Sequence, residues 1–139
     1  RPVNVFVDTS VLLRYVFNQQ PLISSIGDWK GVCCSELAGV EARRTFDRLR
    51  LTQSLDDKTV VKVHEAWSQM EESLSIILLT RATLQRASMP MPISLKTLDA
   101  IHLATALIYR ENRDASVVFA SHDAQQAQAA KALGFRVIG

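Results

Sequence analysis

Short segments made almost wholly of apolar residues recur along this chain, and helix-like segments separate them. The first, at residues 3–7, is rich in β-branched residues and ends abruptly at Asp8. A strand covered on both faces has no polar side, so such runs predict buried strands. Buried strands that alternate with helices predict an α/β fold, with a parallel sheet and helices on both of its faces.

The elements follow from apolar periodicity, turn residues and capping residues. The strands are predicted at 3–7, 32–34, 75–79, 117–120 and 136–138. The helices are predicted at 11–17 with Thr9 or Ser10 as cap, 22–26, 36–51, from Ser54 onward, 81–87, 97–113 with Thr97 as cap, and 123–133. Neither a linker nor a repeat interrupts this pattern, so we expect a single domain over residues 1–139.

Composition narrows the class of protein. The 139 residues suffice for one domain with a sizeable core. Hydrophobic residues make up 47% and charged residues 22%, a globular balance. No apolar run approaches the roughly 20 residues that span a bilayer, and the first residues do not resemble a signal peptide. Cys33 and Cys34 form no disulfide framework, so we expect a cytoplasmic protein without membrane contact.

Charge alone does not identify a partner. The formal net charge is only +2, although arginine supplies most of the basic residues and four arginines fall within residues 43–50. Arginine forks suit phosphate groups. A solvated helix face explains such a cluster equally well.

Four acids stand where this architecture would bring them together. Asp8 follows the first strand, Asp123 follows the fourth, Asp99 lies in the first turn of the long helix, and Glu41 lies in the helix after strand 2. Parallel sheets bind ligands beyond the carboxyl ends of their strands, where the strand order reverses. Crowded carboxylates repel each other unless a cation holds them, and such oxygen ligands select Mg²⁺ or Mn²⁺.

Two of the acids also have a simpler interpretation, which fits Asp8 less well because it ends an apolar strand and should be partly buried. Asp99 and Asp123 suit the first turn of a helix, where a carboxylate is favourable without any ligand. Glu36 competes with Glu41, because five residues on a helix correspond to a rotation of about 140° and the two side chains face different ways. We favour Glu41.

Four segments together are similar to the motifs of the PIN-domain family of nucleases. They are VFVDTSVLL at 5–13, SELAGVEARR at 35–44, LKTLDAIHLATA at 95–106 and VFASHD at 118–123, with AAKALG at 129–134 downstream. The third is the most specific. Ser121 stands where the family often has Thr, and a hydroxyl is retained.

The resemblance implies a PIN-like three-layer fold around a five-stranded parallel sheet of order 3-2-1-4-5. It implies a Mg²⁺- or Mn²⁺-dependent endoribonuclease, as in the VapC-like toxin of a VapBC toxin–antitoxin pair. The implied partners are an RNA substrate, a VapB-like antitoxin and a second copy of the chain in a homodimer. The implied catalytic and metal-binding acids are Asp8, Glu41, Asp99 and Asp123. The implied hydroxyl residues beside them are Thr9 and Ser121.

Arg44 and His102 lie close to the four acids along the chain, and each has more than one possible role. Arg44 lies three residues after Glu41 on the same helix face, so we expect it to grip a substrate phosphate. A salt bridge to Glu41, or a solvated arginine, is the alternative. His102 follows Asp99 by three positions and can reach a metal, but we interpret it as structural.

Other classes fit less well. A phosphoacceptor receiver domain needs an Asp after the third strand, and residues 75–80 hold none. The Gly-rich turn of a dinucleotide-binding module is missing after Val7. An HD-type phosphohydrolase needs more histidines than His64 and His102 beside the His122-Asp123 pair. A catalytically silent PIN fold that binds RNA or protein remains the alternative function.

Overall fold

A parallel five-stranded sheet forms the centre of the computed structural model, which describes residues 3–17 and 29–139. The strands are β1 (Val3–Val7), β2 (Trp29–Ser35), β3 (Ser75–Ile77), β4 (Val118–Ala120) and β5 (Val137–Ile138). Their order is β3-β2-β1-β4-β5, and every neighbouring pair is parallel. The α/β class and the strand order implied by the resemblance are confirmed.

Six helices accompany the sheet in the described part of the chain. They are α1 (Thr9–Val16), α2 (Leu37–Leu51), α3 (Asp57–Glu71), α4 (Arg81–Ala87), α5 (Thr97–Asn112) and α6 (Ala124–Ala132). The helix predicted at residues 22–26 lies outside the described residues. None of these helices combines the length and apolar character that a membrane crossing requires.

Helices cover both faces of the sheet, which explains the apolar first strand. Val5 and Val7 pack into one core with side chains of α1, α2 and α3, including Phe46 and Trp67. Phe6 points to the other face and joins a second core with side chains of α5, α6 and β4. Because successive side chains of a strand alternate between the two faces, both sets must be apolar.

The caps of three helices differ from the prediction. The cap of α1 is Asp8, not Thr9 or Ser10, and that of α3 is Asp56, not Ser54. A carboxylate is the stronger acceptor for the free N–H groups of a first turn. Thr97 was predicted to cap α5, but it is the first residue of that helix. The residue at the cap position is Lys96, whose side chain makes no capping hydrogen bond.

Candidate active site

Asp8 and Ser121 mark the point where the strand order reverses. β1 lies between β2 and β4, and the backbone N–H of Asp8 donates to the carbonyl of Ala120, the last residue of β4, at 3.2 Å. The Ser121 hydroxyl then donates to Oδ2 of Asp8. The same hydroxyl oxygen accepts from the backbone N–H of Asp123 at 2.9 Å. One hydroxyl therefore links the ends of the two strands that carry Asp8 and Asp123.

Asp8 is held firmly. Only 5% of the residue is exposed. Its Oδ1 accepts from the Ser10 hydroxyl at 2.6 Å and from the backbone N–H of Val11 at 3.3 Å. With Ser121 on the other oxygen, donors from three residues orient the carboxylate.

Glu41 reaches the same region from α2. Its Oε1 accepts from the Thr9 hydroxyl at 2.7 Å and pairs with Nε2 of His102. Burial raises the pKa of Glu41, but the hydrogen bond and charge of His102 and the hydrogen bond of Thr9 outweigh burial and hold that pKa below its ordinary value. Glu41 is therefore a carboxylate in the anionic form, tied to α1 and α5.

His102 contacts Glu41 and Thr9, and the sequence interpretation did not predict these contacts. The residue is 1% exposed, and Nε2 also lies 3.3 Å from the Thr9 hydroxyl. Its Nδ1 has no hydrogen-bond partner among the described residues. The signal was its spacing of three residues from Asp99, which places both on one face of α5. The imidazole joins α5 to Glu41 and Thr9.

Asp99 experiences the charge of the other acids. Burial raises its pKa most, the Asp123 charge raises it further, and the charges of Asp8 and Glu41 add to the effect, while His102 opposes it. Asp99 sits in the first turn of α5. The charges of three other acids on different elements thus act on the Asp99 carboxyl.

Asp123 is the outermost of the four. It is exposed, and its Oδ1 caps α6 by accepting from the backbone N–H of Gln126 at 2.9 Å. The helix cap expected for a lone acid at this position is thus present. Its charge still acts on Asp99.

Glu36 and Glu41 face different neighbours. Glu36 is exposed, and its Oε1 accepts from the backbone N–H of Leu79, just beyond β3. Its own N–H donates to the carbonyl of Ile77 at 3.0 Å. Glu41, by contrast, contacts Thr9 directly after Asp8, as the helical rotation between the two positions predicts.

Arg44 lies on the outside of α2. Its side chain is 69% exposed and pairs with Oδ2 of Asp47 at 3.2 Å. The expected alternative, a salt bridge to Glu41, is not the pairing that the structure records. The guanidinium is accessible to a ligand that can compete with Asp47.

The donor set suits a hard divalent cation, although the side chains are not gathered around one. Within residues 3–17 and 29–139, no group of three or more His, Cys, Asp or Glu side chains is arranged to hold a metal. Hydroxyl, imidazole and backbone N–H groups occupy oxygens of Asp8, Glu41 and Asp123. All four acids offer oxygen ligands. Burial and the neighbouring acids both raise the pKa of Asp99, and a cation would relieve the part that is due to repulsion.

Fold and site together define a parallel α/β protein with an acidic cluster at the switch point of its sheet. The chain belongs to the PIN-domain family, since residues 5–134 match the family model described as "PIN domain". Proteins of this family are typically Mg²⁺- or Mn²⁺-dependent nucleases.

One solved structure agrees with this assignment at the level of the fold. The crystal structure of PAE2754 from Pyrobaculum aerophilum superposes with a TM-score of 0.58, at 14% identity, over 97% of this chain and 83% of that one. No curated protein matches the chain significantly.

Proposed function

We propose that this protein is a Mg²⁺- or Mn²⁺-dependent endoribonuclease and the toxin of a VapBC-type pair, acting in the cytoplasm. The observation that supports the proposal is the hydrogen bonding beside Asp8, where Ser121 joins Asp8 to the backbone of Asp123 and Thr9 binds Glu41. Burial and the charges of Asp123, Asp8 and Glu41 raise the pKa of Asp99, which agrees with an acidic site there. A solvated or capping acid needs no such neighbours.

In this proposal Asp8, Glu41 and Asp99 hold the first cation, and the exposed Asp123 holds a second cation or a water more loosely. A bound Mg²⁺ or Mn²⁺ supplies Lewis-acid chemistry, which activates water and stabilises charge on a phosphodiester. Thr9 and Ser121 keep the carboxylates of Glu41 and Asp8 oriented through their hydroxyl hydrogen bonds.

Arg44 is the proposed substrate contact. Its guanidinium is exposed, and among the described residues it pairs with another surface side chain, Asp47. Exposed ion pairs are weak, about 0–1 kcal/mol, so an RNA phosphate can displace Asp47 and take a bidentate contact with Arg44.

The experiment is a cleavage assay on single-stranded and hairpin RNA with Mg²⁺ or Mn²⁺, repeated with excess EDTA. We expect endonucleolytic products that require the metal. Full activity in excess chelator would contradict the metal mechanism. Purification of the protein after co-expression with the products of small neighbouring genes tests for a VapB-like antitoxin, and light scattering tests for a homodimer.

A catalytically silent PIN fold that binds RNA or protein is the second candidate. It is favoured because Ser10 and His102 already bond to oxygens of Asp8 and Glu41, as expected of acids that only support the structure. RNA binding without cleavage at any Mg²⁺ or Mn²⁺ concentration would support this candidate over the nuclease.

A further inference from the structure

Gln126 is a fully buried amide beside the acidic cluster, and no role in the proposed nuclease accounts for it so far. It lies in the first turn of α6 and is 0% exposed. Glutamine is seldom fully buried, because its amide has two donor hydrogens and an acceptor oxygen to satisfy.

This one residue touches both Asp99 and Asp123. Its side-chain Nε2 donates to the backbone carbonyl of Asp99 at 3.1 Å. Its backbone N–H donates to Oδ1 of Asp123 at 2.9 Å. Asp99 lies in the first turn of α5 and Asp123 caps α6, so Gln126 ties the start of α5 to the start of α6.

Stability does not explain the amide. Its Oε1 is buried and has no hydrogen-bond partner among the described residues. A buried acceptor without a partner is unfavourable, whereas an apolar side chain of the same length carries no such penalty. Asp99 and Asp123 are both acids, and like charges at the two helix starts repel each other.

We propose that Gln126 is a positioning residue that sets the separation of Asp99 and Asp123 and thereby the affinity of the acidic site for a divalent cation. The inference rests on the proposed metal-dependent function. Without the bond from Nε2, repulsion between the acids is free to widen the gap between the two helix starts. A wider gap holds a cation less tightly.

Gln126→Met tests this role, because methionine keeps the length and helix preference of glutamine but donates no hydrogen bond. Binding of Mn²⁺ is measured by calorimetric titration, and metal-free stability by thermal melting. We expect the Mn²⁺ affinity to fall about 10- to 100-fold, the range for partners that orient metal ligands. We expect the melting temperature without metal to stay equal or rise, and RNA binding in EDTA to stay unchanged.

Thr105→Val is the matched control. Thr105 is a buried residue of α5, 1% exposed, and its hydroxyl donates to the carbonyl of Ile101 at 2.7 Å. The variant also removes a buried polar group from α5, but the hydroxyl that is lost bonds to Ile101 and to neither Asp99 nor Asp123. We expect its Mn²⁺ affinity to equal that of the wild type, the opposite pattern to Gln126→Met.

A second background separates positioning from a general loss of structure. In Asp123→Asn, Gln126→Met should weaken Mn²⁺ binding by a much smaller factor than in the wild type, because without the Asp123 charge no repulsion remains for the Gln126 bond to oppose. If Gln126→Met does not fold, Gln126→Asn replaces it, since its amide is one methylene too short to reach Asp99.

The outcomes are distinct. Wild-type Mn²⁺ affinity in the folded Gln126 variant, beside a wild-type protein that binds Mn²⁺ and cleaves RNA, overturns the positioning role and leaves the nuclease intact. A wild-type protein that neither binds Mn²⁺ nor cleaves RNA overturns both. An equal loss of affinity in the Asp123→Asn background also overturns the positioning role.

Discussion

Asp8 combines two roles, and a single substitution separates them. It caps α1 and is the acid most tightly held in the cluster. Asparagine is an equally good cap, so Asp8→Asn should keep the fold. It removes one anionic ligand, and we expect RNA cleavage to fall at least about 100-fold. Cleavage rates with Mn²⁺, together with thermal melting, check this result.

The control for Asp8→Asn is the same change at Asp56. Asp56 is exposed and caps α3 by accepting from the backbone N–H of Thr59 at 2.7 Å. Asp56→Asn therefore swaps one good cap for another and should leave cleavage unchanged. If Asp8→Asn cleaves as fast as Asp56→Asn, Asp8 is only a cap.

Sequence located the strand ends that carry two of the acids, but not the side chains that contact the acids, for a physical reason. Asp8 and Asp123 stand at the ends of strands, and strand ends can be located from apolar runs. The contacts of His102 with Glu41 and of Gln126 with Asp99 join residues that packing alone brings together. Such contacts depend on how the helices pack against the sheet, and the local sequence patterns that predict strands and helices contain no information about that packing.

The elements show the same division between local and long-range causes. α4 occupies the predicted residues 81–87, because Thr80 caps it by accepting from the backbone N–H of Thr83 at 3.2 Å, a local event. β3 is shorter than predicted and ends at Ile77, where its partner β2 also ends at Ser35. A strand's length depends on its neighbour, and one sequence segment does not contain that information.

At the scale of elements, Glu71 couples α3 to α2 and should make stability depend on pH. It accepts hydrogen bonds from Arg43 at 3.1 Å and from the Trp67 indole at 3.1 Å. The Arg43 hydrogen bond is the main cause that holds the pKa of Glu71 below its ordinary value. The stabilisation is therefore full above the ordinary glutamate pKa and is lost as pH falls through the lower folded value.

Glu71→Gln should cost about 0.2–1 kcal/mol at neutral pH, as for a partly exposed pair. The amide oxygen still accepts from Trp67, so mainly the charge is lost. Thermal melting of both proteins from pH 7 down to pH 3 should show the difference shrink toward acid. Glu72→Gln, which removes a charge one residue away, serves as control. A difference that stays constant with pH would exclude the ion pair as its cause.

For the whole molecule, we expect a divalent cation to stabilise the fold. The four acids repel one another in the metal-free protein, and a ligand that binds only the folded state adds RT ln(1 + [L]/Kd). At a metal concentration of about 100 times Kd the gain is roughly 2.7 kcal/mol. That gain should raise the melting temperature of a domain of this size by several degrees.

The metal-induced rise in melting temperature can also decide between Glu36 and Glu41 as the second acid of the site, and this test requires no knowledge of the substrate. Glu41 contacts Thr9 and His102 inside the cluster, whereas Glu36 binds the backbone of Leu79 beyond β3. Melting scans with and without Mn²⁺ should therefore show the metal-induced shift reduced in Glu41→Gln and kept in Glu36→Gln. The reverse pattern would assign the second acid of the site to Glu36, and an unreduced shift in both variants would remove α2 from the metal site.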